Sequence, residues 1–336
     1  TWDTVTLTVE YDRGDALVTS QLASSAGRVT LDAVLTGLLA TPAYDLTTQL
    51  SNVDLSILSG DSLLKSSISG SMNIRGSHFD ADSINGRMTL SLAASSLGPD
   101  SVDTLFAQVS ATPGHFEADS FFVQTTAVKA SGRGYYDVAS REVACDASLT
   151  PLDLSAVAEL AGFDSLSAEG GVSISVAGTL DSLWADAIFS LVAVQANDLS
   201  VDSVGGVLKA QLGDLAFGEL SVDMECRGVR YNEVLVDRIS LTSAMTSDTI
   251  SVDLEASSGD SLALTVTADV VPGSATAVML HDLDFDYFHQ SWILDQPLVT
   301  IGIDSAGVTV DSLVLRSQSP DSRATIALDG RYAILG

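Results

Sequence analysis

Apolar and small polar residues alternate along most of this chain, and about every ten positions the alternation is cut by Gly, Asp-Ser or Asn. Thr4-Val5-Thr6-Leu7-Thr8-Val9-Glu10, Val172-Ser173-Ile174-Ser175-Val176 and Leu262-Ala263-Leu264-Thr265-Val266-Thr267-Ala268 are clear examples. A period of two sends successive side chains to opposite faces, so each run predicts a strand with one apolar and one polar face. Read this way the chain is strand nearly everywhere, roughly 25 strands at typical strand-plus-turn lengths. One short helix is predicted mid-chain. Leu154, Val157, Ala158, Leu160 and Ala161 fall at helical spacing there, with Asp153 to cap the start and Gly162 to end it.

Asp-Ser recurs from Asp61 to Asp321, often followed by an apolar residue, as in Asp82-Ser83-Ile84 and Asp311-Ser312-Leu313. Asp and Ser hydrogen-bond their own backbone, so these pairs read as turn punctuation. Calcium ligation is the competing use. The glycine-rich nonapeptide of calcium β-rolls and the EF-hand loop are both absent. A longer repeat also runs through the chain. Val53-Asp54-Leu55-Ser56 and the Gly70–Gly76 strand reappear about one hundred residues later as Leu152-Asp153-Leu154-Ser155 and Gly170–Gly178, and a third unit begins near Leu280. The expectation is one continuous repetitive β array over 1–336, in approximate units 45–150, 151–277 and 278–336.

Few helices exist to cover so many one-sided strands. The sheet must fold on itself, pair with a second sheet, or hold something apolar. The predicted fold is therefore all-β, a long curled antiparallel or mixed sheet forming an open trough, with at most one or two short helices. With strands about 4.8 Å apart, 25 of them would make a trough of roughly 120 Å. The alternation places one set of side chains on the apolar surface: Val5, Leu7, Val9, Met72, Ile74, Met88, Leu90, Leu92, Val172, Ile174, Val176, Val222, Met224, Ile239, Leu241, Ile250, Val252, Leu254, Leu262, Leu264, Val266, Ile326 and Leu328.

Composition narrows what that surface does. Hydrophobic residues make up 46% of the 336, enough for a core, but aromatics only 6%, which suits a uniform aliphatic surface better than an aromatic-rich pocket. The net charge of −29, with Lys65, Lys129 and Lys209 the only lysines, excludes a nucleic-acid partner and argues against an anionic headgroup surface. Solubility of a large β protein and a saline habitat both account for the acidity. Cys145 and Cys226 lie in no metal or redox spacing and read as small hydrophobes, a disulfide being the alternative. No apolar run is long enough for a membrane-spanning helix. The chain opens at Thr1 without a signal peptide and breaks off inside strand-like Tyr332–Gly336, so we read it as a piece of a longer protein, with any anchor outside it.

Catalytic patterns are missing. His281-Asp282-Leu283-Asp284-Phe285-Asp286-Tyr287-Phe288-His289 gathers two imidazoles and three carboxylates, but Asp282, Asp284 and Asp286 equally form the wet face of a strand. Gly132-Arg133-Gly134 lacks the third glycine and following helix of a dinucleotide site, and no nucleophile elbow, phosphate loop or HExxH pair occurs. The expectation is a protein that is not an enzyme, with no cofactor and no metal.

Gly170-Gly171-Val172-Ser173-Ile174-Ser175-Val176-Ala177-Gly178-Thr179-Leu180 and the paired Gly70–Gly76 segment resemble the recurring strand of the TamB/AsmA-like envelope proteins of diderm bacteria. Pro151-Leu152-Asp153-Leu154 and the run from Tyr231 to Leu241 are also similar to that family. The resemblance implies a taco-like sheet whose apolar groove carries phospholipid acyl chains between inner and outer membranes. It implies a location in the periplasm or cell envelope, and for some members an Omp85-type outer-membrane barrel as partner, here through parts outside this chain. Two alternatives stay open: a structural or adhesive β-solenoid stalk, and an outer-membrane protein assembly factor that offers sheet edges to client strands.

Overall fold

A computed structural model describes residues 3–59, 65–80, 83–97, 100–151, 165–213, 216–232, 234–246, 248–259, 261–273, 276–288, 290–304, 307–318 and 324–332. The helix expected over 153–162 lies outside the described residues. The chain divides into two compact units, Thr1–Asp153 with Ser173–Leu180, and Leu154–Val172 with Asp181–Gly336.

The first unit holds β1 (Thr4–Asp12), β2 (Asp15–Ser24), β3 (Gly27–Thr36), β4 (Ala43–Val53), α1 (Leu55–Ser59), β5 (Ser66–Ser77), β6 (Asn85–Leu97), β7 (Asp100–Thr112), β8 (His115–Thr125), β9 (Val128–Asp137) and β10 (Glu142–Pro151). Strand β11 (Leu166–Thr179) is shared between the two units. The second unit holds β12 (Ser182–Ala196), β13 (Leu199–Gly213), β14 (Ala216–Tyr231), β15 (Val234–Thr246), β16 (Thr249–Ser258), β17 (Leu262–Val271), β18 (Thr276–Tyr287), β19 (Gln290–Leu294), β20 (Val299–Asp304), β21 (Gly307–Ser317) and β22 (Thr325–Tyr332). The protein is all-β, its 22 strands belonging to one sheet. The described residues hold 22 strands, against the roughly 25 expected, and many are long, β14 reaching 16 residues. No ladder is mixed: each described pairing is antiparallel and, with one exception, joins strands adjacent in sequence. The exception is β19 and β20. They occupy successive stretches of one ladder position between β18 and β21, interrupted at residues 295–298.

That interruption keeps its hydrogen bonds. The Asp295 amide donates to the Val314 carbonyl at 2.9 Å, and the Gln296 side-chain oxygen accepts from the Val314 amide at 3.0 Å, standing in for the missing strand backbone. Helix α1 has a similar local cause. Asp54 accepts from the Ser56 amide at 2.9 Å and the Ser56 hydroxyl at 2.7 Å, and the Ser56 hydroxyl is the main reason its carboxyl is held below the ordinary carboxylate value.

Several Asp-Ser pairs expected at turns lie instead at irregularities inside strands. Asp119 falls at a register shift between β7 and β8, where it accepts from Gln108 Nε2 at 2.9 Å and Ser110 Oγ at 3.1 Å. Asp202 sits between paired Val201 and Ser203 and holds Arg230 through contacts of 2.8 and 3.3 Å. Asp311-Ser312 marks the shift in β21, with Ser312 at φ 54°. A bulge leaves backbone groups unpaired, and a short acidic side chain reaches polar neighbours there as well as it does in a turn.

The described halves of the sequence repeat share geometry. A Cβ at Gly70 would sit 2.1 Å from the Ser91 carbonyl oxygen, and a Cβ at Gly170 would sit 2.1 Å from that of Ser190. Soon after, Ala94 (φ 45°) and Ala193 (φ 51°) take the same left-handed conformation.

Little of the chain is buried. Among the described residues the buried apolar side chains are mostly alanines, and the one cluster of fully shielded residues is Ala268, Leu280 and Val299 in the second unit. The accessible surface is 20,146 Å² for 34.9 kDa. Twenty-four large hydrophobic side chains stand exposed among the described residues.

Candidate functional site

Register shows what the alternation builds. In an antiparallel ladder, directly opposed residues project to the same face. In the first unit one line of opposed residues crosses ten strands: Leu7, Ser20, Leu31, Thr48, Met72, Leu90, Ala107, Phe121, Gly132 and Ala147. The next runs Val9, Val18, Ala33, Leu46, Ile74, Met88, Val109, Ala118, Gly134 and Cys145, and a third joins Val5 to Leu92 and Leu149. In the second unit Phe189, Gly206, Met224, Leu241, Leu254, Val266 and Leu283 form one line. Beside it, Leu208, Val222, Ser243, Val252, Ala268, Leu280 and Val299 form another. Each unit therefore has one apolar face.

Within each unit, the side chains that the alternation selects share a face. Val5, Leu7, Val9, Met72, Ile74, Met88, Leu90 and Leu92 share the face in the first unit. Val222, Met224, Ile239, Leu241, Ile250, Val252, Leu254, Leu262, Leu264, Val266, Ile326 and Leu328 share it in the second. Along β11 the parity is set by Ser175, whose hydroxyl donates to Asp146 Oδ1 at 2.8 Å on the polar face. Val172, Ile174 and Val176 alternate to the other side. Leu22, Val29, Leu46, Val109 and Leu208, outside the expected set, occupy the same faces. Their own alternation was the available signal.

Most of these side chains are half-buried, shielded by strand neighbours but not covered by a second layer, which would bury them outright. Val5, Leu7 and Val9 remain 61, 62 and 55% exposed. Three of the rings on these faces lie across glycines of the next strand. A Cβ would meet the Tyr44 hydroxyl at 2.6 Å from Gly76, the Phe121 ring at 2.7 Å from Gly132 and the Phe189 ring at 2.7 Å from Gly206. The free thiols of Cys145 and Cys226 also belong to these faces, and burial pushes the Cys226 thiol above its ordinary value. These faces are mainly aliphatic and ring carbon, with a few hydroxyls and the two thiols among them. They can hold hydrocarbon.

The opposite faces carry the ion pairs. Arg75 pairs with Asp45 at 2.9 Å in the first unit, and Arg238 with Glu225 at 2.7 Å and Arg316 with Asp295 at 2.8 Å in the second. Arg227 also holds Glu225, and its hydrogen bond is the main cause of that carboxyl's lowered pKa. Asp282, Asp284 and Asp286 lie on this wet side, opposite Thr267, Thr265 and Ala263, and His281 Nε2 is 2.8 Å from Asp269 Oδ2. His289 lies outside the described residues. Among the described residues no group of three or more His, Cys, Asp or Glu is arranged to hold a metal ion.

Burial first, then the charges of Asp286 and Asp282, raises the Asp284 carboxyl above its ordinary value. A raised carboxylate favours the protonated folded state. That contribution is present below the unfolded pKa and is lost as pH rises through the folded one. Asp284→Asn is therefore expected to raise the melting temperature near pH 7 and to leave it unchanged at about pH 3, where both forms are neutral. Thermal unfolding at the two pH values checks this, and an equal shift at both would contradict it.

Comparison with protein-family models, curated proteins and solved structures finds no match for the chain. No helix among the described residues is long and apolar enough to cross a membrane.

Proposed function

We propose that the apolar faces bind the acyl chains of phospholipid, and that this chain is part of a non-enzymatic conduit moving lipid between the inner and outer membranes of a diderm bacterium. One observation carries the reading. Ladder after ladder places aliphatic side chains on one face, and that face stays half-exposed within each unit. At about 25 cal/mol per Å², exposed aliphatic surface on this scale is a standing cost that hydrocarbon contact removes. The groove-like resemblance of the Gly70 and Gly170 strands to the TamB/AsmA-like family supports the same reading, as it does a periplasmic setting and a barrel partner acting through other parts of the protein.

The stalk alternative is less well supported. A β-solenoid stacks successive coils, whereas here each described ladder is antiparallel and nearly all join sequence neighbours. The conduit reading is tested by organic extraction of protein purified without detergent, followed by mass spectrometry. The expected result is co-purifying phospholipid in at least equimolar amount. Clean protein that also fails to take up a fluorescent phospholipid after delipidation overturns the proposal.

A further inference from the structure

Strand β12 departs from the one-sided rule. Leu183, Ala185, Ala187, Phe189 and Leu191 join the apolar face, yet Trp184, Ile188 and Val192 on the other side are 50, 57 and 43% exposed. A near-continuous apolar run of this kind belongs to strands covered on both faces. Val207 opposes Ile188 on β13 and extends the patch. The same face of the following strands is polar: Ser221, Asp223 and Glu225 on β14, Ser240 and Thr242 on β15, Asp253 and Glu255 on β16. From Trp184 to Val192 is eight residues, about 27 Å of strand. An apolar strip of that length on an otherwise polar face marks a contact surface.

Its surroundings indicate what covers it. Asp186 interrupts the strip between Trp184 and Ile188, and Ser190 between Ile188 and Val192. On β14, Glu219 stands level with Trp184 through Gln211, and Asp223 level with Ile188 through Val207. Neither Glu219 nor Asp223 takes part in an ion pair among the described residues, whereas Glu225 is held by Arg227 and Arg238. Beside Trp184 a depression of about 300 Å³ is walled by Gln211, Glu219, Ser221 and Ala244. It offers a ring face and a carboxylate to one long cationic side chain. Lys209, opposite Asp186 and also at this depression, is the one base in the set.

We propose that the polar-side face of β12–β14 docks a cationic amphipathic segment of a partner protein. Apolar side chains of that segment cover Ile188, Val207 and Val192, and a Lys or Arg occupies the depression beside Trp184. A second copy of this chain fits less well, because it would bring the same acidic rim against itself.

The test uses an 18-residue amphipathic peptide of Leu and Lys as probe, with its Leu and Glu counterpart as control, followed by calorimetric titration in physiological salt. The wild-type protein is expected to bind the Lys peptide and not the Glu peptide. Ile188→Ser and the pair Glu219→Gln with Asp223→Asn should each weaken binding at least tenfold. The pair Asp253→Asn with Glu255→Gln removes the same charge from β16 and should leave affinity within twofold. All four positions changed for charge and Ile188 are on the wet face, so circular dichroism should show the folds unchanged. Equal losses from the β14 and β16 pairs would reduce the effect to general attraction by an acidic protein and overturn the proposal. Self-association of the wild type, abolished by Ile188→Ser, would overturn it in favour of a second copy.

Discussion

Gly170→Ala is expected to destabilise the second unit severely, by about 3 kcal/mol or more, combining backbone strain with a steric clash. Gly170 has φ 135°, and a Cβ there would lie 2.1 Å from the Ser190 carbonyl oxygen and 3.0 Å from Leu191 Cα. Both atoms are backbone, so relief requires moving β12 away from β11 rather than turning a side chain. Domains of this size are stable by about 5–15 kcal/mol, so the loss is a large fraction of the total. Gly205→Ala is the control. Its Cβ would meet only the Phe189 carbonyl oxygen at 3.7 Å, and alanine at such a site stabilises slightly by restricting the unfolded chain. Urea unfolding of both variants checks the contrast. If the two differ by less than about 1 kcal/mol, the close approach of β11 and β12 is not a structural requirement.

Ile174→Asp is expected to abolish lipid loading while leaving most of the fold intact. Ile174 is half-buried on the apolar side of β11, beside solvent-facing Ser173 and Ser175. An unpaired carboxylate among hydrocarbon costs several kcal/mol, and an acyl chain has no donor to offset it. Without lipid the same carboxylate keeps access to water, because no second layer covers the face. Co-extracted phospholipid should therefore drop at least tenfold in Ile174→Asp, with thermal unfolding little changed. Ser173→Asp, one residue along, should alter neither. If Ile174→Asp unfolds outright, the position belongs to a closed core. If it folds and carries a normal lipid load, the conduit reading fails.

The parity of the faces was legible wherever a strand runs without interruption. In β16 and β17 every second residue from Ile250 to Val266 lies where the alternation puts it. Parity was not legible across bulges. At Ala193 the chain takes a left-handed turn, so Leu191 and Val194 face the same way although three residues apart. Nothing in alternation predicts that turn, whereas Val192, just before it, lies on the polar side by simple alternation with Ile188 and Ser190. Helix α1 escaped notice because five residues are too few to show a helical period, although Asp54 carried its capping signal. The apolar strip of β12 was visible as the run from Leu183 to Val194, but periodicity alone does not tell a two-faced strand from a one-faced one. Function was the least legible, because an aliphatic face records the kind of matter it touches and not the partner's identity.

Joining strands almost wholly to their sequence neighbours has a consequence for how such a chain can change in length. Among the described pairings none joins β1 to β22, so no strand there serves to close the sheet on itself. Deleting one hairpin leaves the flanking strands still opposed in direction, with their aliphatic sides still aligned if register is kept. Each hairpin gained or lost alters reach by about 9.6 Å, twice the strand spacing. On the proposed conduit reading, the distance spanned is adjustable by duplication or loss of hairpins, without redesign of any interior. Contacts local in sequence also let each hairpin form as it leaves the ribosome, so added length need not slow folding of what came before.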